Sequence, residues 1–198
     1  MSYDGYKANW GRSTNIDRGV SKNHLQAADL NSVYTTVSGN SGTWSNLVLQ
    51  VVSATVDEVD TTTSTTLTNT SVSAAITPSS SSNKILINVS FTSGSDSSEN
   101  NIMGFGLRRD TTDIGLSTTA SGNKKNVITG PGKTGNNFLG SCSITHLDSP
   151  SATSEVDYYL TFLARSGYTT HINKTGSDSN NNYTYRGSST ITLTEIAS

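Results

Sequence analysis

One cysteine, Cys142, in 198 residues leaves no partner for an intramolecular disulfide. Stability is expected to come from packing or from oligomerisation. Charge of one sign is also missing, since Lys and Arg nearly balance Asp and Glu at a net charge of -2. No general field draws the protein to nucleic acid or to an anionic membrane, and neither is an expected partner. No apolar run approaches membrane-spanning length, and the start, "MSYDGYKANWGR", has no apolar segment of the signal-peptide kind. Synthesis in a cytoplasm without Sec-type export is the expectation. The three histidines, His24, His146 and His171, are too dispersed for a zinc site, and no metal or other cofactor is expected.

Ser, Thr, Asn and Gly fill the space left by the scarce charged and apolar residues. Thr favours strands through its β-branch, and Ser, Asn and Gly favour turns, so the mixture suits short strands joined by polar loops. The composition shifts near residue 45. Residues 1–45 hold both tryptophans and few other apolar groups, too few for a core of their own. They read as an extended N-terminal arm with a possible short helix over 21–33, capped by Ser21 or Asn23. Tyr3, Tyr6, Trp10, Tyr34 and Trp44 are its candidate anchoring residues.

Residues 46–198 read as the folded domain. "LVLQVVSA" (47–54) is nearly continuous in apolar residues, as a strand covered on both faces would be. Alternation then places Ile85, Ile87, Val89 and Phe91 on one face, likewise Met103, Phe105 and Leu107 opposite Gly104, Gly106 and Arg108. The same holds for Val156, Tyr158, Leu160, Phe162 and Ala164, and for Ile191 and Leu193 in the last strand. Weaker strand candidates are "TSTTLTN", "SVSAAIT", "FLGSCSITHL" and "YTTHIN". Roughly eight to ten short antiparallel strands without a helix after residue 45 predict an all-β jelly-roll sandwich. Four serines in "ITPSSSSNKILINVSF" (76–91) have linker composition, but strands flank them closely and Pro78 closes the first. The expectation is a turn of hairpin length inside one domain.

Taken in order, "LVLQVVSAT", "SVSAAITPSSSSNKILINVSF", "FGLRRDTTDIG", "HLDSP" and the terminal "STITLTEIA" resemble a family of bacteriophage virion domains common in marine and cyanobacterial phages. The resemblance spans residues 47–197 and leaves the arm outside. Such domains are similar to the trimeric jelly rolls of complement C1q and tumour necrosis factor, which implies a homotrimer. It also implies a location on the virion exterior after assembly in a bacterial cytoplasm, with the arm bound to other tail or capsid proteins.

Several constellations suggest chemistry without supporting it. "VITGPGKTG" (127–135) ends like a phosphate-binding loop, but Val127 stands where the motif needs Gly and a strand rather than a helix follows. His146 and Asp148 would share a strand face beside many serines, which is too common a pattern to define a triad. Asp57, Glu58 and Asp60, and Asp96 with Glu99, lack the alternating oxygen spacing of a dedicated calcium site. Sequons at Asn69, Asn88, Asn173 and Asn182 follow from composition. A polysaccharide-cleaving enzyme would need paired carboxylates in a groove and usually a long repetitive scaffold, so a non-enzymatic role is expected.

One segment suits recognition. Residues 165–189 combine Tyr168, His171, Tyr183, Tyr185 and Arg186 with an Asn and Ser tract. Aromatic faces beside amides and hydroxyls can hold a host-surface glycan. The expected role is therefore a tail-fibre protein contacting the host, with a capsid decoration, cement or head-fibre protein as the alternative.

Overall fold

Ten strands run through the described residues of the computed structural model, which are 47–97, 103–131 and 136–198. The helix expected over 21–33 and the anchoring candidates Tyr3, Tyr6, Trp10, Tyr34 and Trp44 lie outside them. The strands are β1 (Val48–Val56), β2 (Thr61–Thr62), β3 (Thr68–Ile76), β4 (Lys84–Ser95), β5 (Met103–Arg109), β6 (Thr112–Ile114), β7 (Gly140–Asp148), β8 (Val156–Ala164), β9 (Thr170–Ile172) and β10 (Ser189–Ile196).

All pairings are antiparallel and make two sheets. In the first, β1 pairs with β10 and β10 with β4, whose other edge takes β7. Beyond the end of β10, β9 continues along the same edge of β4 and carries β2 outside it. The second sheet runs β3, β8, β5, β6. Setting aside the short β2 and β9, the chain changes sheet at every connection except the β5–β6 hairpin, which is the winding of a jelly roll.

Period two decides the core. Every inward residue expected from the alternation of β4, β5, β8 and β10 is buried. Phe91 of β4 meets Phe105 of β5 edge-on, with ring centroids 4.7 Å apart, and locks the two sheets together. On the outward side of β5, Gly104 and Gly106 have no side chain because residues 116–130 fold back over them. A Cβ at Gly104 would meet Val127, and one at Gly106 would meet Leu116.

The serine run is a turn between β3 and β4, but not a hairpin, because those strands lie in different sheets. Its order comes from Glu195 in β10, which is inward-facing and fully buried. Oε1 accepts from the Ser79 amide at 2.7 Å, the Ser79 hydroxyl at 2.8 Å and Asn83 Nδ2 at 2.6 Å, while Oε2 accepts from Gln50 Nε2 at 2.6 Å. Burial works to raise the carboxyl's pKa, but the bonds from Asn83, Gln50 and Ser79 outweigh it and hold it at about 2. The turn is thus fastened by the last strand. A second buried carboxylate, Asp148, takes two bonds from Arg109 at 2.9 and 3.0 Å and one from the Tyr158 hydroxyl at 2.8 Å. Burial, then the bond to Asp148 and its charge, push the Tyr158 phenol far above the ordinary tyrosine range.

Strand β1 departs from the sequence expectation in an informative way. It is an edge strand whose Val52, Ala54 and Val56 pack on the core, while Leu47, Leu49 and Val51 point outward and stay exposed, Val51 by 58%. Among the described residues, only one of its faces is covered.

Candidate functional site

β9 is only three residues long, and the segment after it is built on Asn173. This residue is fully buried and adopts a left-handed backbone, φ 62°. Asn tolerates that conformation better than most residues because its short amide can bond locally. Here every polar atom of the amide is used. Nδ2 donates to the carbonyls of Val56 and Glu58, both at 2.9 Å, and Oδ1 accepts from Thr92 Oγ1 at 3.1 Å and Ser189 Oγ at 2.7 Å. Its backbone bonds Thr92 and Gly187. One side chain therefore ties β4, the end of β1 and the start of β10, and its sequon nitrogen has no hydrogen to spare for modification.

From this anchor, residues 173–187 leave the sheet as two limbs and return. The limbs are joined by the Thr175 amide to the Tyr185 carbonyl, the Gly187 amide to the Asn173 carbonyl, and a bridge between Lys174 and Arg186. Close approach seats them against β4: a Cβ at Gly94 would strike the Lys174 carbonyl, and one at Gly176 the Ser95 carbonyl. At the tip, Thr184 Oγ1 donates to the Ser179 carbonyl at 2.7 Å, and Asn181 Oδ1 accepts from the Tyr183 amide at 3.2 Å.

Between residues 178–181 and 184–186 lies a cleft of about 340 Å³. Arg186 pairs with Asp178 at 2.5 Å across it, and Lys174 reaches the same carboxylate at 3.5 Å. The bond from Arg186, with help from Lys174, holds the Asp178 carboxyl below its usual range. An ionised Asp178, the amides of Asn180 and Asn181 and the half-exposed ring of Tyr185 thus face one opening. That set offers acceptors, donors and one apolar face, the combination a sugar ring can use.

The structure divides the five candidate contact residues. Tyr185 and Arg186 line the cleft, and Tyr183, 51% exposed, stands at the adjoining tip. Tyr168 is half-buried against the core, with the Arg165 guanidinium 5.3 Å from its ring centroid. His171 is buried in β9 with Nδ1 3.0 Å from Thr61 Oγ1, and burial, then the charge of Lys174, lower its pKa to about 4. As a neutral, enclosed ring it supports the segment from beneath and cannot touch a ligand.

The other constellations are placed as well. Asp148 is occupied by Arg109 and Tyr158, while His146 packs beside Gly115, so the pair shares a face without sharing a bond. Asp60 Oδ2 accepts from the amide and hydroxyl of Ser71, each at 2.7 Å, and Asp96 Oδ1 from the Thr169 amide. Among the described residues no group of three or more His, Cys, Asp or Glu is arranged to hold a metal ion. Of the phosphate-loop look-alike, Ile128 and Thr129 bond Phe105 at the edge of β5, and residues 132–135 are outside the described set.

The whole segment sits at one end of the sandwich, where β4 and β8 finish and β5 and β7 begin. At the opposite end the Ala197 amide bonds the Leu47 carbonyl beside the serine turn, and there the chain enters the first sheet. No family model and no curated protein matches this chain.

Proposed function

We propose that this protein is a bacteriophage virion component on the particle exterior: a non-enzymatic, trimeric jelly roll of tail-fibre type, attached through residues 1–45 and touching the host surface with residues 178–186. The observation that carries this reading is the outward face of the first sheet. Three registered rows cross it, Val51–Thr194–Leu86–Leu147, Ser53–Thr192–Asn88–Thr145 and Thr55–Thr190–Ser90–Ser143. None of these residues is charged, and Val51 and Leu147 are about half exposed or more, at 58% and 49%. A sheet face meant for water would carry charge, as would an unprotected edge such as β1. Depletion of charge around an apolar row is the composition of an interface core. Identical copies closing around an axis would cover β1 and remove its edge.

The polarity of the sandwich fits this reading: Leu47 lies at one end of the folded domain and the exposed aromatic cleft at the other.

Full-length protein in light scattering is expected at three times 20.9 kDa. Val51→Lys combined with Leu147→Lys should convert it to monomer with an unchanged far-ultraviolet spectrum, since each lysine buried without a partner costs on the order of 3 kcal/mol. Wild-type protein at monomer mass would refute the assembly. On a glycan array, Tyr185→Ala is expected to lower binding roughly ten-fold or more, as loss of a central aromatic contact does. Undiminished binding would remove the cleft from the recognition surface.

A further inference from the structure

Hydrogen-bond polarity within the 178–186 cleft narrows what it can hold. Both cations beside it are already turned onto one carboxylate: Arg186 Nη2 pairs with Asp178 Oδ1 at 2.5 Å, and Lys174 Nζ lies 3.5 Å from Oδ2. Each oxygen of an ionised carboxylate can accept more than one bond, so the half-exposed Asp178 keeps acceptor capacity toward the opening. Thr184 Oγ1 spends its hydrogen on the Ser179 carbonyl at 2.7 Å and can only accept from a ligand. Asn181 is oriented by the bond that its Oδ1 accepts from the Tyr183 amide at 3.2 Å, which makes Nδ2 the donor. The cleft thus presents acceptors from Asp178 and Thr184, a donor from Asn181 and the half-exposed ring of Tyr185.

We infer that the cleft selects a neutral sugar, with adjacent ring hydroxyls donating to the Asp178 carboxylate and the C–H face of the ring lying on Tyr185. A hydroxyl both donates and accepts, so it can answer Asp178, Thr184 and Asn181 alike. A carboxylate or sulfate only accepts. It would face the oxygens of Asp178 and Thr184, and could gain Arg186 only by taking it from Asp178. A protonated amine would be drawn to Asp178 but would have to sit beside Arg186 and Lys174. Both charged classes are therefore disfavoured by what already occupies the carboxylate. The assignment rests on the recognition role proposed above and adds to it the class of sugar.

The test titrates the full-length protein over an array of neutral hexose, uronate and free-amine glucosamine oligosaccharides of matched length. Neutral hexose oligosaccharides are expected to bind at least ten-fold more tightly than either charged class, and to lose binding when their ring hydroxyls are methylated. Asp178→Asn removes the ionised acceptor and releases Arg186, so it should weaken neutral binding ten-fold or more and raise uronate binding. The melting temperature should stay unchanged, because Asp178 is half exposed. Asn181→Asp keeps the acceptor for the Tyr183 amide and removes only the Nδ2 donor, and should weaken neutral binding about five-fold. A preference for uronate or amine, still lost in Tyr185→Ala, would overturn the neutral-sugar assignment and leave the recognition role standing. Undiminished neutral binding by Asp178→Asn would overturn Asp178 as the acceptor. Absence of binding to every class would overturn the recognition role and this assignment with it.

Discussion

Glu195→Gln should destabilise the protein by on the order of 3 kcal/mol, read as the midpoint of urea unfolding at fixed protein concentration. Four donors converge on this buried carboxylate, from Ser79, Asn83 and Gln50, and among the described residues no cation pairs with it. Glutamine keeps the shape but turns an NH₂ toward groups that are themselves donors, leaving buried hydrogens without acceptors. The pH dependence separates this explanation from simple packing loss. Unfolded, the carboxyl titrates near the usual glutamate value of about 4.3; folded, it titrates at about 2. Because the folded value is the lower one, the stabilisation is fully present above about pH 5 and disappears as pH falls toward 2. The gap between wild type and Glu195→Gln is therefore expected to close over that window. A gap that stays constant down to pH 2 would mean the carboxylate's charge is not what holds the serine turn.

Asn173→Asp is expected to cost more, on the order of 4 kcal/mol, and to lower the melting temperature by about 10 °C. The substitution changes one atom in size hardly at all, yet it sets a carboxylate oxygen against the carbonyls of Val56 and Glu58 in a fully buried position. Asn173→Gly keeps the backbone free to hold φ 62° and loses only the side-chain bonds, so it should be milder than Asn173→Ala, which adds strain. The reverse order would show that the backbone conformation is not the constraint. Since Asn173 seats the limbs of the 173–187 segment, Asn173→Asp should also loosen that segment. Faster amide exchange at Thr175 and Gly187 would report it.

Much of this architecture was legible in the sequence because a half-buried strand writes its own face. Ile85 to Phe91 alternate in burial throughout and Val156 to Leu160 do so before Thr161 and Leu163 are covered as well, and the inward sets of both strands belong to the core. The paired glycines of "MGFG" could have signalled a close approach, which the structure shows to be residues 116–130. Which sheet each strand joins was not legible, because β3 and β4 look like a hairpin locally and are separated only by long-range pairing with β8 and β10. Glu195 carried a signal that parity alone could have raised: it shares a face with Ile191 and Leu193, and an inward glutamate demands donors. Its partners come from 112 or more residues away and had no local signature.

At the candidate site, composition picked out a segment but could not separate Tyr185, which faces the cleft, from His171, which is buried. A three-residue strand such as β9 is too short for alternation to show.

Placement on a virion is the claim from which the arm, the trimer and the recognition loop take their meaning. It is tested most directly by the abundance of this chain in purified particles, measured by quantitative mass spectrometry against the major capsid protein. A small fraction of the capsid protein's abundance, in a multiple of three copies per particle, is the predicted result. Abundance close to that of the capsid protein would replace the tail-fibre role with the capsid-decoration one, and absence from the particle would contradict the account.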